Sequence, residues 1–208
     1  KVASGHTLRE VLDIVDTLNF QSESDLFELS LVYEGLLQNM GDAGGYAGEF
    51  YTPRPVVRAM IKAIDPQAGQ TIYDAAAGSC GFLVEAFEHL KAKKCELSTE
   101  QWGFIQRNTF FGFEKTSLAY VMGMMNMILH GVHYADFEIM QEDTLEHPQH
   151  THLKFDAIVA NPPFSAKWSA SPLFMNDDRF AQYGKLAPSS KADMAFVQHM
   201  LYQLDDHG

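Results

Sequence analysis

Residues 73–83 read YDAAAGSCGFL. The run TIYDAA predicts a buried strand and GFLVEAFEHLKAKK a helix, so the small residues between them make a tight strand-to-helix turn. Gly78 and Gly81 let backbone approach a ligand closely, and the helix start offers N–H groups to it. The stretch is not the dinucleotide pattern G-x-G-x-x-G, because Ala76 stands two positions before Gly78. By itself the turn also fits a connection that binds nothing.

Working outward, the alternation continues. STEQWGFIQRN reads as a helix, TFFGFE as a strand, EKTSLAYVMGMMNMILHGV as a helix, FEIMQED and FDAIVANPPF as strands, and SSKADMAFVQHMLYQL as a helix. Strands alternating with helices imply an α/β fold with a mostly parallel sheet covered on both faces. Right-handed crossovers then gather the strand ends at one edge, bringing Asp74 and the glycine turn together with Glu114, Asp143 and Asn161. Upstream, Thr52 can cap a helix that begins at Pro53. Residues 22–40 place Leu26, Leu29, Tyr33, Leu36, Leu37 and Met40 at helical spacing. The glycine-rich GDAGGYAG after them marks a boundary between an N-terminal helical segment, residues 1–44, and a main domain, residues 45–208. No internal repeat or low-complexity tract is present.

A length of 208 residues suits one domain with a small helical appendage. No apolar run is long enough to cross a bilayer and KVASGHTLRE lacks a signal-peptide core, so a soluble, cytoplasmic protein is expected. Cys80 and Cys95 are too few for a disulfide framework and are read as reduced thiols. The missing initiator Met, and an end on a turn-like Gly just after a helix, read as a fragment or a partly ordered chain in which the later strands are missing. A net charge of −12 is awkward for a nucleic-acid partner, since Lys and Arg supply most non-specific affinity. Binding to DNA would need a local basic patch or partner subunits.

Three further features carry chemistry. Glu114, at the end of the second strand, can take both hydroxyls of a ribose, or can simply be a charge at a helix N-terminus. Asp143 is open to the same two readings. Asn161-Pro162-Pro163-Phe164 ends a strand by removing two backbone donors, which leaves a rigid loop at the carboxyl edge of the sheet. An amino group on an aromatic ring is a poor nucleophile because its lone pair is delocalised into the ring. The Asn161 side-chain oxygen and the Pro162 carbonyl could each accept one of its N–H groups and favour a pyramidal nitrogen, while Phe164 stacks on the ring. The plainer reading is a loop that only stops a strand. The Met-rich VMGMMNMIL reads as core filler. His147, His150 and His152 lie in a polar connection without a carboxylate or cysteine at ligand spacing, so no metal is assigned.

GEFYTPRPVV, DAAAGSCGFL, ANPPF and KADMAFVQHML, in that order, resemble the modification (M) subunits of type I restriction-modification systems, which are S-adenosylmethionine-dependent DNA adenine-N6 methyltransferases. The resemblance runs from about Gly48 to Leu204 and implies a Rossmann-like class I methyltransferase sheet. It implies that Phe50, Tyr51 and Thr52 contact the methionine end of S-adenosylmethionine. Asp74 with Ala76, Gly78, Ser79, Gly81 and Phe82 would cradle the cofactor. Glu114 would hold its ribose, and Asp143 with Thr144 would lie by its adenine. Asn161, Pro162 and Phe164 would receive a target adenine flipped out of DNA, with Asn161 also near the cofactor. Specificity (S) and restriction (R) subunits are the implied partners, and base recognition would belong to the former. The chain departs from the family's Asp-Pro-Ala-Cys-Gly-Thr-Gly-Gly turn at Cys80, where a glycine is usual. Two alternatives stand beside this reading: a protein-glutamine N5 methyltransferase, which GEFYTPR argues against, and a degenerate methyltransferase kept as a scaffold.

Overall fold

Ile72–Asp74 forms the central strand β1, flanked in parallel by β2 (Phe110–Phe113) and β4 (Ala157–Ile158), with β3 (Glu138–Met140) outside β2. The computed structural model describes residues 4–20, 22–42 and 51–208. Among these the sheet order is β3-β2-β1-β4. The chain therefore steps outward from β1 to β3 and returns to the other side of β1 for β4. That reversal opens a crevice at the carboxyl ends of β1 and β4, the place where open α/β sheets take ligands.

Side-chain alternation sends the sheet's apolar residues into two cores. Ile72 and Phe110 pack with Phe87, Leu83 and Ile105 on one face. Tyr73 and Phe113 pack with Phe155, Phe180 and Phe196 on the other. The first core is covered by α3 (Arg54–Ile64), α4 (Gly81–Ala92), α5 (Thr99–Asn108) and α6 (Ser117–Leu129), and the second by α7 (Asp193–Gln203) and the long connection before it. In α6, Met122 and Met127 are buried as core residues.

Among the described residues two N-terminal helices precede this unit, α1 (Gly5–Val15) and α2 (Glu23–Asp42). The α2 helix lies against the domain: Tyr33 Oη donates to the Met122 carbonyl at 2.9 Å, and Arg54 holds Glu34 with a two-pronged guanidinium contact. The α1 helix falls within the N-terminal segment expected to be helical and buries none of its residues. One expected start is corrected. The α3 helix begins at Arg54 behind Pro53 with no side-chain cap, because Thr52 turns its hydroxyl to Asn161 instead. The expected boundary at residues 44–45 lies outside the described residues. Among the described residues no helix is long and apolar enough to cross a membrane.

Candidate functional site

The crevice is walled by the glycine turn after β1, the ends of β2 and β3, and the Asn-Pro-Pro-Phe loop after β4. The turn is held from both sides. Gly78 takes φ +52°, and its N–H donates to Glu114 Oε2 at 3.0 Å. Thr116 N–H donates to Glu114 Oε1 at 2.7 Å, so Glu114 ties the turn to the start of α6. The Thr116 hydroxyl also bonds this carboxylate, and of its roughly four acceptor sites one is left for a ligand hydroxyl. Burial raises the Glu114 pKa, and the contacts from the Thr116 and Gly78 amides and the Thr116 hydroxyl only partly oppose it.

Asp74 sits beneath the turn, fully buried, with Oδ1 accepting from Ala76 N–H at 3.0 Å and Oδ2 without a partner among the described residues. Burial pushes its pKa up to about 7, against the Ala76 hydrogen bond and with help from the charge of Glu114. A buried carboxyl with an unpaired oxygen suits a cation placed over the turn. Asp143 is held differently. Its Oδ1 accepts from the Leu145 and Glu146 amides at 3.0 and 3.2 Å, and Lys115 Nζ meets Oδ2 at 2.7 Å. Burial pushes Asp143 upward, but these contacts outweigh it and leave its pKa below the usual carboxylate value. Thr144 closes the same turn through a 2.6 Å hydrogen bond to the Ala75 carbonyl.

Cys80 takes a left-handed conformation, φ +58°, that an L-residue adopts at a cost of about 1–2 kcal/mol. Its buried side chain lies over Gly123 of α6, where a Cβ would overlap the sulfur and come within 2.9 Å of the Gly78 carbonyl. Asn126, one helical turn on, donates to the Ser79 carbonyl at 2.8 Å. The larger residue in the turn is thus matched by the absence of a side chain on the facing helix.

On the other wall Asn161 Nδ2 donates to Thr52 Oγ1 at 3.2 Å, leaving Oδ1 without a partner among the described residues. The segment after the loop is sewn to the start of α7: Asp193 Oδ1 accepts from Ser165 N–H at 3.2 Å, and Ala192 N–H donates to the Ala166 carbonyl at 2.9 Å. Beneath lies a buried polar chain. Arg179 donates to Asp177, to the Thr144 carbonyl at 3.2 Å, to the Leu145 carbonyl at 2.9 Å and to His199 Nδ1 at 3.2 Å. Since arginine only donates, His199 Nδ1 accepts and Nε2–H donates to Tyr73 Oη at 2.8 Å. Burial, then the Arg179 charge, pushes the His199 pKa down to about 3 and keeps the ring neutral.

Of the residues singled out in sequence, Thr52, Ala76, Gly78, Ser79, Gly81, Phe82, Glu114, Asp143, Thr144 and Asn161 line the crevice. Tyr51 does not line it, its ring lying against Gly41 of α2. Asp74 lies below the wall, and Pro162 gives its place there to Pro163. Phe164 stands outside, 84% exposed. Phe50 is outside the described residues. Sequence reasoning missed Phe113, Lys115, Leu145, Lys167, Trp168 and Phe196, which also line the crevice. Lys115 follows Glu114 directly and was within reach of the motif. Trp168 arrives only because residues 161–192 fold back over the second core, and Phe196 because α7 packs on that core. Outside the crevice, His150 is buried against Phe111 and Phe113, whereas His147 and His152 are exposed.

Residues 23–208 match the family model described as N-6 DNA Methylase. The methylase subunit of the type I restriction enzyme EcoEI from Escherichia coli is 37% identical over 162 residues, 77% of this chain and 32% of that protein. The MpnII methylase subunit from Mycoplasma pneumoniae is 34% identical over 97% of this chain and 38% of its own length. A chain from a structure described as showing complex assembly and conformational transition of the type I R-M system superposes with a TM-score of 0.80 at 40% identity, covering 98% of this chain and 39% of the other. A type I restriction-modification methyltransferase subunit from Streptococcus thermophilus gives 0.64 at 39% identity, over 76% of this chain and 32% of its own. The chain spans about a third of the length of the curated relatives it matches.

Proposed function

The chain belongs to the N-6 DNA methylase family, and from that footing we propose that it is the catalytic part of a site-specific DNA-methyltransferase that methylates N6 of adenine as the modification subunit of a type I restriction-modification complex. The observation that carries this reading is the junction of two walls: the Asn-Pro-Pro-Phe loop, tethered from Asn161 to Thr52, opens on the crevice formed by the glycine turn, Glu114 and Asp143. The donor set fits S-adenosylmethionine. Glu114 offers an acceptor for the ribose hydroxyls, Asp143 and Thr144 on the crevice wall would lie beside the purine, and the unpaired Asp74 carboxyl suits a cationic ligand. When bound, that cofactor supplies a methyl group on a sulfonium.

The chain's own residues supply position and hydrogen bonds. Asn161 Oδ1 and the Pro162 carbonyl accept the two N–H groups of the target amine and draw its lone pair out of the ring. Phe164, already exposed, stacks on the flipped base. Specificity and restriction subunits are the proposed partners, supported by relatives that are methylase subunits of type I restriction enzymes. We further propose the division into a helical segment, residues 1–44, and a methyltransferase domain, residues 45–208, the former docked through α2 on α6. The fit of Cys80 over Gly123 speaks against a decayed turn and so against the scaffold reading.

The test uses the full-length protein with its specificity subunit and labelled S-adenosylmethionine. Asn161→Ala is expected to abolish transfer to DNA adenine while cofactor affinity stays within a few-fold, since the residue addresses the target amine. Unchanged turnover in that variant would refute the assignment.

A further inference from the structure

The chain holds 27 acidic against 15 basic residues, yet residues 161–192, between β4 and α7, carry four of the Lys and Arg and only two of the Asp and Glu. Asp177, one of those two acids, is engaged by Arg179. Lys167 and Lys191 are exposed and have no carboxylate partner among the described residues. They are brought close by two hydrogen bonds that pair their neighbours, Trp168 N–H to the Ser189 carbonyl at 3.1 Å and Ala192 N–H to the Ala166 carbonyl at 2.9 Å.

The same excursion bears the two most exposed large apolar side chains among the described residues, Phe164 at 84% and Leu173 at 79%. Leu173 sits in the short 3-10 turn Pro172–Asn176, whose cap Ser171 accepts the Leu173 N–H at 3.3 Å. Phe174, next in the turn, stacks on Trp168 with centroids 5.3 Å apart and planes 18° apart. Since Trp168 lines the crevice, the turn is pinned to the crevice wall while Leu173 is left in water. A rigid turn that presents one bare leucine beside unpaired lysines, next to a site for a flipped base, has the composition of a duplex contact: cations for phosphates and an apolar wedge for the gap in the stack.

We propose that residues 161–192 form the face that meets duplex DNA, with Lys167 and Lys191 taking phosphates and Leu173 entering the stack beside the displaced base. This rests on the adenine-methyltransferase reading above. It also resolves the charge problem of an acidic chain, by confining the cations that matter to one excursion.

The test again uses the full-length protein assembled with its specificity subunit. Lys167→Gln and Lys191→Gln are each expected to weaken DNA binding and to make the slope of log affinity against log salt shallower by about one. Lys191→Gln is expected to leave cofactor affinity unchanged. Leu173→Ala is expected to slow methylation of a matched site by on the order of ten-fold, and a mismatch opposite the target adenine is expected to restore most of the rate, because that base already lies loosely in the stack. A general folding defect has no reason to be rescued by a mismatch. Unaltered salt slopes in both lysine variants, or loss of specificity-subunit binding in place of DNA binding, would overturn the inference. So would a Leu173→Ala defect of equal size on matched and mismatched duplexes. All three outcomes leave the methyltransferase reading intact, whereas a wild-type complex that fails to methylate adenine overturns that reading itself.

Discussion

Asp74 is the residue whose ionisation the cleft controls most directly. Burial holds its pKa near about 7, so the carboxyl is largely neutral below that pH and charged above it. A folded-state pKa raised above the unfolded value means that the folded chain binds the extra proton. This group's stabilising contribution is therefore present at acid pH and declines as pH rises from the ordinary carboxylate range through about 7. A cationic ligand over the turn favours the charged form and reverses the trend for binding. S-adenosylmethionine affinity is therefore expected to tighten between pH 6 and pH 8, by at most about ten-fold per pH unit for one proton. Calorimetric titration of the wild type and of Asp74→Asn across that range checks it. A flat profile in the wild type would mean that Asp74 does not sense the ligand's charge.

At the scale of elements, the turn between β1 and α4 depends on α6 as much as on its own sequence. Cys80 occupies a conformation that glycine takes freely, and Gly123 supplies the space its side chain needs. Gly123→Ala is therefore expected to destabilise the protein by about 1–3 kcal/mol through overpacking, and to weaken cofactor binding by shifting the turn. Adding Cys80→Gly is expected to recover only part of the loss, since the Gly78 carbonyl would still crowd the new Cβ. Denaturant unfolding of both variants, with cofactor titration, measures the coupling. The start of α3 shows a different dependence on context. Thr52 has the chemistry of a helix cap, but a long-range hydrogen bond to Asn161 takes its hydroxyl, and local propensity gives way to the site.

For the whole molecule, Arg179 joins parts far apart in the chain. Its guanidinium binds Asp177 within the excursion, the carbonyls of Thr144 and Leu145 at the crevice, and His199 on α7, which reaches Tyr73 of β1. Arg179→Met would take the donors from the Thr144 and Leu145 carbonyls and from His199 Nδ1 around a buried position, while the part-exposed Asp177 keeps water and the backbone N–H of residue 179. A loss of roughly 1–3 kcal/mol is expected, the scale for leaving buried acceptors without a donor. Urea unfolding of the full-length protein checks it. A loss under about 1 kcal/mol would mean that water or repacking replaces the network.

The order of strands and helices, the glycine turn, the acids at the ends of β2 and β3 and the Asn-Pro-Pro-Phe loop were all determined by the sequence. Each is written in local chemistry: apolar periodicity, glycine where backbone must turn, and proline where a strand must stop. Most of the crevice wall could be read because crossover rules bring those strand ends to one edge. The tertiary structure alone decided which side chains complete the site. Trp168 reaches the crevice through the fold of residues 161–192 and Phe196 through the packing of α7, and Gly123 matters only because Cys80 lies opposite it. Asp74 and Glu114 owe their raised pKa values to burial. Packing and desolvation are sums over neighbours distant in sequence, and no local pattern records them.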